Sequence, residues 1–131
     1  MQLIQNTAAR LVTRTKVSSH ISPVLHELHW LPVKFRLQYK LLLLAYRAVN
    51  GPAPSYISEL LDYYQPSRSG LRSENKNLLD EKRSSRSWGD RAFAVAAPRL
   101  WNTLPDDIRA CSSLESFKTA LKTHLMDLAN K

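Results

Sequence analysis

Adjacent carboxylates at Asp106-Asp107 are the first residues whose spacing suits chemistry. Two-metal phosphoryl transfer needs such a pair at a strand turn, with a third carboxylate nearby, so that two cations sit about 3.5–4 Å apart. Here the pair follows Leu104-Pro105 and precedes Ile108-Arg109. That is the start of a helix, where acids complement the dipole. A structural role is the expectation, and no catalytic residue is assigned. His20, His26, His29 and Cys111 carry metal-ligating atoms, and His26 and His29 are spaced to share a helix face. Structural zinc takes four ligands, usually in two close pairs. Cys111 and His124 stand alone, so neither a metal site nor a cofactor is expected. His29 is expected to pack near Trp30, with His26 on the surface. No local signature of a Cys–His nucleophile surrounds Cys111.

Cations are the stronger signal. Arg36, Lys40 and Arg47 fall on one face of a helical stretch. Such a stripe can follow a phosphate backbone, or it can be the solvated face of a buried helix, since Lys and Arg stems snorkel by default. Both readings stay open. The run Arg83-Ser84-Ser85-Arg86-Ser87-Trp88-Gly89-Asp90-Arg91 combines charge with an aromatic face, the pairing used on single strands. Its alternative is a loop with Trp88 anchored in the core. A large aromatic gains more by burial, so burial is the expectation for Trp88, as for Trp30 and Trp101.

The elements that must position these residues are mostly helical. Leu3, Ile4, Ala8, Leu11 and Val12 mark one face of a helix over 2–14. No capping residue precedes it, which points to truncation, with an upstream chain once supplying its packing. Ser22-Pro23 reads as an N-cap and first position for a short helix from Val24 to Trp30. Helix 33–50 is the clearest element. Leu37, Leu41, Leu44 and Ala48 form its apolar stripe, widened by Leu42, Ala45, Tyr46 and Val49, and Gly51-Pro52 ends it. Ser55 to Tyr64 reads as another helix. Residues 65–90 read as a long connection, with Leu78-Leu79 and Phe93-Ala94-Val95 as the strand candidates for one short hairpin. Ala97 to Asn102 is a short helix turned by Pro98. The last helix is opened by Ser112 and Glu115 as a capping box and lined by Leu114, Phe117, Leu121, Leu125 and Leu128.

With 131 residues and 44% hydrophobic content, the chain can own a core. Its net charge of +8 is concentrated in residues 1–50, where seven basic residues face one acid, Glu27. That balance favours polyanions, nucleic acid before acidic membrane. One cysteine rules out an internal disulfide and fits a reducing intracellular compartment, cytoplasmic or nuclear. No secretory signal opens the chain, and the apolar run Leu41 to Ala45 is too short to span a bilayer, so no membrane partner is expected.

Several strings carry a resemblance. They begin with Gln5-Asn6-Thr7-Ala8-Ala9-Arg10-Leu11-Val12, His20-Ile21-Ser22-Pro23-Val24-Leu25 and Leu28-His29-Trp30-Leu31-Pro32-Val33. Lys40-Leu41-Leu42-Leu43-Leu44-Ala45-Tyr46-Arg47-Ala48-Val49-Asn50-Gly51-Pro52-Ala53-Pro54 follows, then Gly89-Asp90-Arg91-Ala92-Phe93, Ala96-Ala97-Pro98-Arg99-Leu100-Trp101-Asn102 and Leu104-Pro105. Ser113-Leu114-Glu115-Ser116-Phe117-Lys118-Thr119-Ala120-Leu121-Lys122-Thr123-His124-Leu125 closes the set. In this order the set resembles the region after the palm, thumb to tail, of LINE-type non-LTR retrotransposon reverse transcriptases, over nearly the whole chain. The resemblance implies that endonuclease, fingers and palm lie upstream, and that the helices here hold template RNA and primer duplex.

The expected fold is mainly α: four to five helices packed around the long helix 33–50, with a loop-rich middle. The expected parts are 1–64, a basic connection 65–96, and 97–131. The expected function is non-catalytic. It is a reverse-transcriptase fragment that holds RNA or DNA backbone through Arg36, Lys40, Arg47, Arg83, Arg86 and Arg91, with Trp88 as a stacking residue. An upstream polymerase domain is the partner in a longer chain. The alternatives are a helical protein-interaction module, docking through the apolar face of 2–14 or 113–128, and a mobile-element relic without selected activity.

Overall fold

The computed structural model describes residues 1–51, 53–66, 76–85 and 88–129. It is mainly α, as expected. The α-helices are α1 (Gln2–Thr13), α2 (Ile21–Glu27), α3 (Val33–Asn50), α4 (Ser55–Ser58), α5 (Phe93–Asn102), α6 (Asp106–Arg109) and α7 (Leu114–Ala129), with a 3-10 turn at Gly89–Arg91. Among the described residues there are thus seven α-helices rather than four or five, because α4 and α6 are single turns. Two compact units divide the chain: Met1–Tyr39 with Leu121–Lys131, and Lys40–Ala120.

In the first unit, α1 packs against α2 with Ala9, Val24 and Leu25 at the centre and Ile21, Leu28 and Trp30 around them. The face of α1 that does this is not the expected one. Gln5 and Ala9 are buried, whereas Leu3, Ile4, Leu11 and Val12 are exposed. Two glutamines on the inward side bond to backbone groups. Gln5 Nε2 donates to the Leu31 carbonyl at 2.8 Å, and the Val33 amide donates to Gln2 Oε1 at 2.8 Å. The second bond caps the first amide of α3, which has no partner within its own helix.

Helix α2 also departs from expectation. It begins at Ile21 after an extended His20 that makes no side-chain cap bond, so Ser22 and Pro23 lie inside the first turn. Proline is tolerated there because its missing N–H would have no helical partner. The helix ends at Glu27, short of Trp30. His29 takes a left-handed conformation at φ 52, His29 N donates to His26 O at 2.9 Å, and Trp30 N donates to Leu25 O at 2.8 Å. This is a Schellman ending, which stops the helix and folds Trp30 back over Leu25. Further along the unit, Leu121 and Leu125 of α7 are buried as expected.

In the second unit, Tyr46 of α3, Trp101 of α5 and Phe117 of α7 form an aromatic cluster. Tyr46 and Phe117 stack with centroids 4.3 Å apart, and Trp101 and Phe117 lie 5.9 Å apart. Polar tips are satisfied as burial demands. The Tyr46 hydroxyl donates to Cys111 O at 2.9 Å, and Trp101 Nε1 donates to Asn77 O at 2.7 Å. Burial pushes the Tyr46 hydroxyl pKa above the usual tyrosine value, with a smaller push from the Cys111 thiolate. Along α3 the buried residues are Leu42, Ala45, Tyr46 and Ala48, while Leu37 of the expected stripe is exposed. Gly51 ends the helix at φ 100, as expected of a left-handed cap; Pro52 lies outside the described residues.

The expected hairpin is absent from the described residues. Phe93-Ala94-Val95 opens α5, which therefore starts four residues before Ala97, with Pro98 buried inside it. The sole β pairing among the described residues is an isolated antiparallel bridge between Tyr63 and Leu79. That bridge is why the helix from Ser55 does not reach Tyr64: Tyr64 N donates to Leu78 O at 2.9 Å and Asp80 N to Asp62 O at 2.8 Å. On the other edge the Asn102 side chain substitutes for a strand. It accepts from Leu79 N and donates to Leu79 O, both at 2.9 Å. Finally, α7 is capped by Ser113 rather than Ser112. Ser116 N donates to Ser113 Oγ at 3.2 Å, and Glu115 is held by Lys118 instead of closing a box.

Candidate nucleic-acid interface

Arg36, Lys40 and Arg47 are all exposed on α3. Within the second unit, Lys40 and Arg47 lie about 20° apart around the helix and about 10 Å apart along its axis. Arg36 belongs to the first unit and Lys40 and Arg47 to the second, on one continuous helix.

The loop candidates lie in the second unit, and its backbone brings three of them together. Gly89 sits so close to Ser84 that an added Cβ would collide with the serine hydroxyl. This contact joins Arg83, beside Ser84, to the turn that carries Trp88 and Arg91. Within the turn, Arg91 N donates to Trp88 O at 3.3 Å and Ala92 N to Gly89 O at 3.0 Å. Arg83 and Arg91 are exposed. Arg86 lies outside the described residues. Trp88 overturns its expected burial, with 86% of its surface exposed. The core place goes to Trp101, 1% exposed, whose indole has a carbonyl to donate to. Trp30 is partly buried.

Ion pairing leaves most of the described cations unpaired, Arg10, Arg14, Lys16, Lys34, Lys76 and Lys122 among them. The ion pairs among the described residues are Lys82–Asp62, Arg99–Asp90, Arg109–Asp106 and Lys118–Glu115. None involves Arg36, Lys40, Arg47, Arg83 or Arg91. The Arg99–Asp90 pair, at 3.0 Å, occupies the acid two residues after Trp88. Guanidinium and ammonium groups outside an ion pair keep their donors for a phosphate.

Other sequence candidates take structural places. Asp106 and Asp107 open α6, and Asp106 is bonded by Arg109. Arg109 itself is buried, an arrangement its sequence context did not signal; it reaches the Asn102 carbonyl at 3.4 Å, and its Nε has no partner. His26 is exposed as expected, but His29 is also exposed, outside α2, with the two rings 6.4 Å apart. Among the described residues no three His, Cys, Asp or Glu side chains gather to hold a metal. An open depression of about 430 Å³ is lined by Tyr64, Leu78, Leu79, Asp80, Glu81 and Asn102. Its two carboxylates repel phosphate, which excludes it from the interface. No described helix is long and apolar enough to cross a membrane. No family model matches the chain, and it has no match among curated proteins or solved structures.

Proposed function

We propose that this chain is a nucleic-acid-holding segment without a catalytic centre of its own, of the kind that follows the palm in LINE-type reverse transcriptases. The observation that supports it is an excess of unpaired positive charge: Arg36, Lys40, Arg47, Arg83 and Arg91 are exposed and, like six other described Lys and Arg residues, form no ion pair among the described residues. Its partner is the RNA or DNA backbone and, in a longer chain, an upstream polymerase domain. Each phosphate neutralised releases condensed counterions, so binding is driven by charge and carries little sequence readout.

Titrating the whole protein with RNA and with duplex DNA at two salt concentrations tests this. Affinity should fall steeply as salt rises, with a logarithmic slope of about 0.7–0.9 per phosphate contacted. Lys40→Gln and Arg47→Gln should each lower that slope by about one contact. A folded sample that ignores both polymers in dilute buffer ends the proposal.

A helical protein-interaction module is the second reading, and α1 favours it. Its exposed Leu3, Ile4, Leu11 and Val12 lie in a stretch, residues 1–26, with no acid and three cations, Arg10, Arg14 and Lys16. The complementary occupant is an apolar helix flanked by acidic side chains. Association with a protein partner that is abolished by Leu11→Gln and unaffected by Lys40→Gln would favour this reading over the first.

A further inference from the structure

Trp88 is held outward rather than left loose. Gly89 presses against Ser84, Asp90 is tied to Arg99 of α5, and two backbone bonds close the turn between Trp88 and Ala92. The ring is thus displayed by a turn anchored at both ends. Leaving an indole in water forgoes one of the largest burial gains any side chain offers.

The groups beside the ring decide what fits it. Arg83, Ser85 and Arg91 are exposed, and no other large apolar side chain from residues 80–92 is. A protein hot spot surrounds its aromatic with contacts that exclude water; the segment around this ring exposes charged and polar side chains instead. A duplex presents base edges and phosphates, because its base faces are already stacked. An unpaired base has a free face, which is what an indole can cover.

We propose that Trp88, with Arg83 and Arg91, is a stacking site for an unpaired base of single-stranded RNA or DNA. The ring covers the base, and the two guanidiniums hold the flanking phosphates. This deepens the phosphate-holding reading and rests on it. The site confers a preference for single strands that charge alone does not supply, since a charged stripe serves duplex and single strand alike.

The test follows tryptophan fluorescence of the full chain during titration with a single-stranded oligonucleotide, and with the same sequence annealed to its complement. RNA and DNA versions separate the two sources of an unpaired base. The single strand should quench the emission, and Trp88→Phe should remove the quench, because Trp101 is buried and Trp30 partly so. Trp88→Ala should weaken single-strand binding about 5- to 150-fold, leave its salt slope unchanged, and spare duplex binding. Arg91→Gln should lower the slope by about one contact. The ring is solvent-exposed, so circular dichroism should show both tryptophan variants folded. Should Trp88→Ala bind single strands as tightly as the unaltered chain, or lose single strand and duplex equally, the stacking site is refuted while phosphate holding survives. Absence of any binding at low salt defeats both.

Discussion

Helices α1 and α7 carry apolar lines of the same period and bury opposite kinds of face. In α7 the leucine line goes inward: Phe117 and Leu121 are fully buried and Leu125 nearly so. In α1 the glutamine line goes inward, and Leu3 and Leu11 each remain 80% exposed. The difference lies in what each helix meets. Phe117 meets the Tyr46 and Trp101 rings, which offer apolar area. Helix α1 meets the backbone at Leu31 and Val33, which offers an unpaired carbonyl and an unpaired helix-start amide. Leaving such a buried group unsatisfied costs about 1–3 kcal/mol. Burying a Leu or Ile side chain is worth about 1.5–3 kcal/mol. Two glutamine bonds therefore do not outweigh four exposed aliphatic side chains. The α1 face keeps a gain that another surface can claim, whereas the α7 face has already realised its own.

The contrast breaks most sharply at Phe117. Replacing it with alanine should destabilise the second unit by about 3–5 kcal/mol, through lost ring contacts and a cavity, as read by thermal denaturation. Next comes Gln5→Ala, the matching test on α1. It should cost about 1–3 kcal/mol by leaving the Leu31 carbonyl unpaired, although the residue removed is polar. Smallest is Leu11→Gln. It should shift stability by no more than about 0.5 kcal/mol and lower any tendency of the protein to associate. A cost for Leu11→Gln comparable to that for Phe117→Ala would erase the distinction between the two helices.

The same contrast recurs between Trp88 and Trp101. Both are large aromatics preceding or ending a helical element, and composition favours burial for each. Trp101 sits on α5 where Asn77 supplies an acceptor, and Trp88 precedes a turn pinned by Ser84 and Arg99. Nothing local separates them, because the deciding partners lie several to more than twenty residues away. Asn102 is a similar case. Its double bond to Leu79 takes the place of a strand edge, and an asparagine at a helix end gives no sign of such a role. Arg83 and Arg91, by contrast, are visible as cations in the sequence itself; what folding adds is the pairing of Asp90 with Arg99 rather than with Arg91 beside it.

Periodicity alone was enough to place α1, α3 and α7 and to identify the chain as mainly helical, because apolar spacing of 3.6 is a property of consecutive residues. The basic stripe on α3 followed from the same arithmetic. What sequence could not decide was which side of α1 turns inward, where α2 and α4 stop, and whether Trp88 meets core or solvent. Those outcomes depend on hydrogen-bond partners and packing surfaces brought close only by folding: Leu31 for Gln5, Leu78 for Tyr64, Ser84 for Gly89. Local pattern specifies that a helix or turn forms; which side of it turns inward depends on groups and surfaces that only folding brings together.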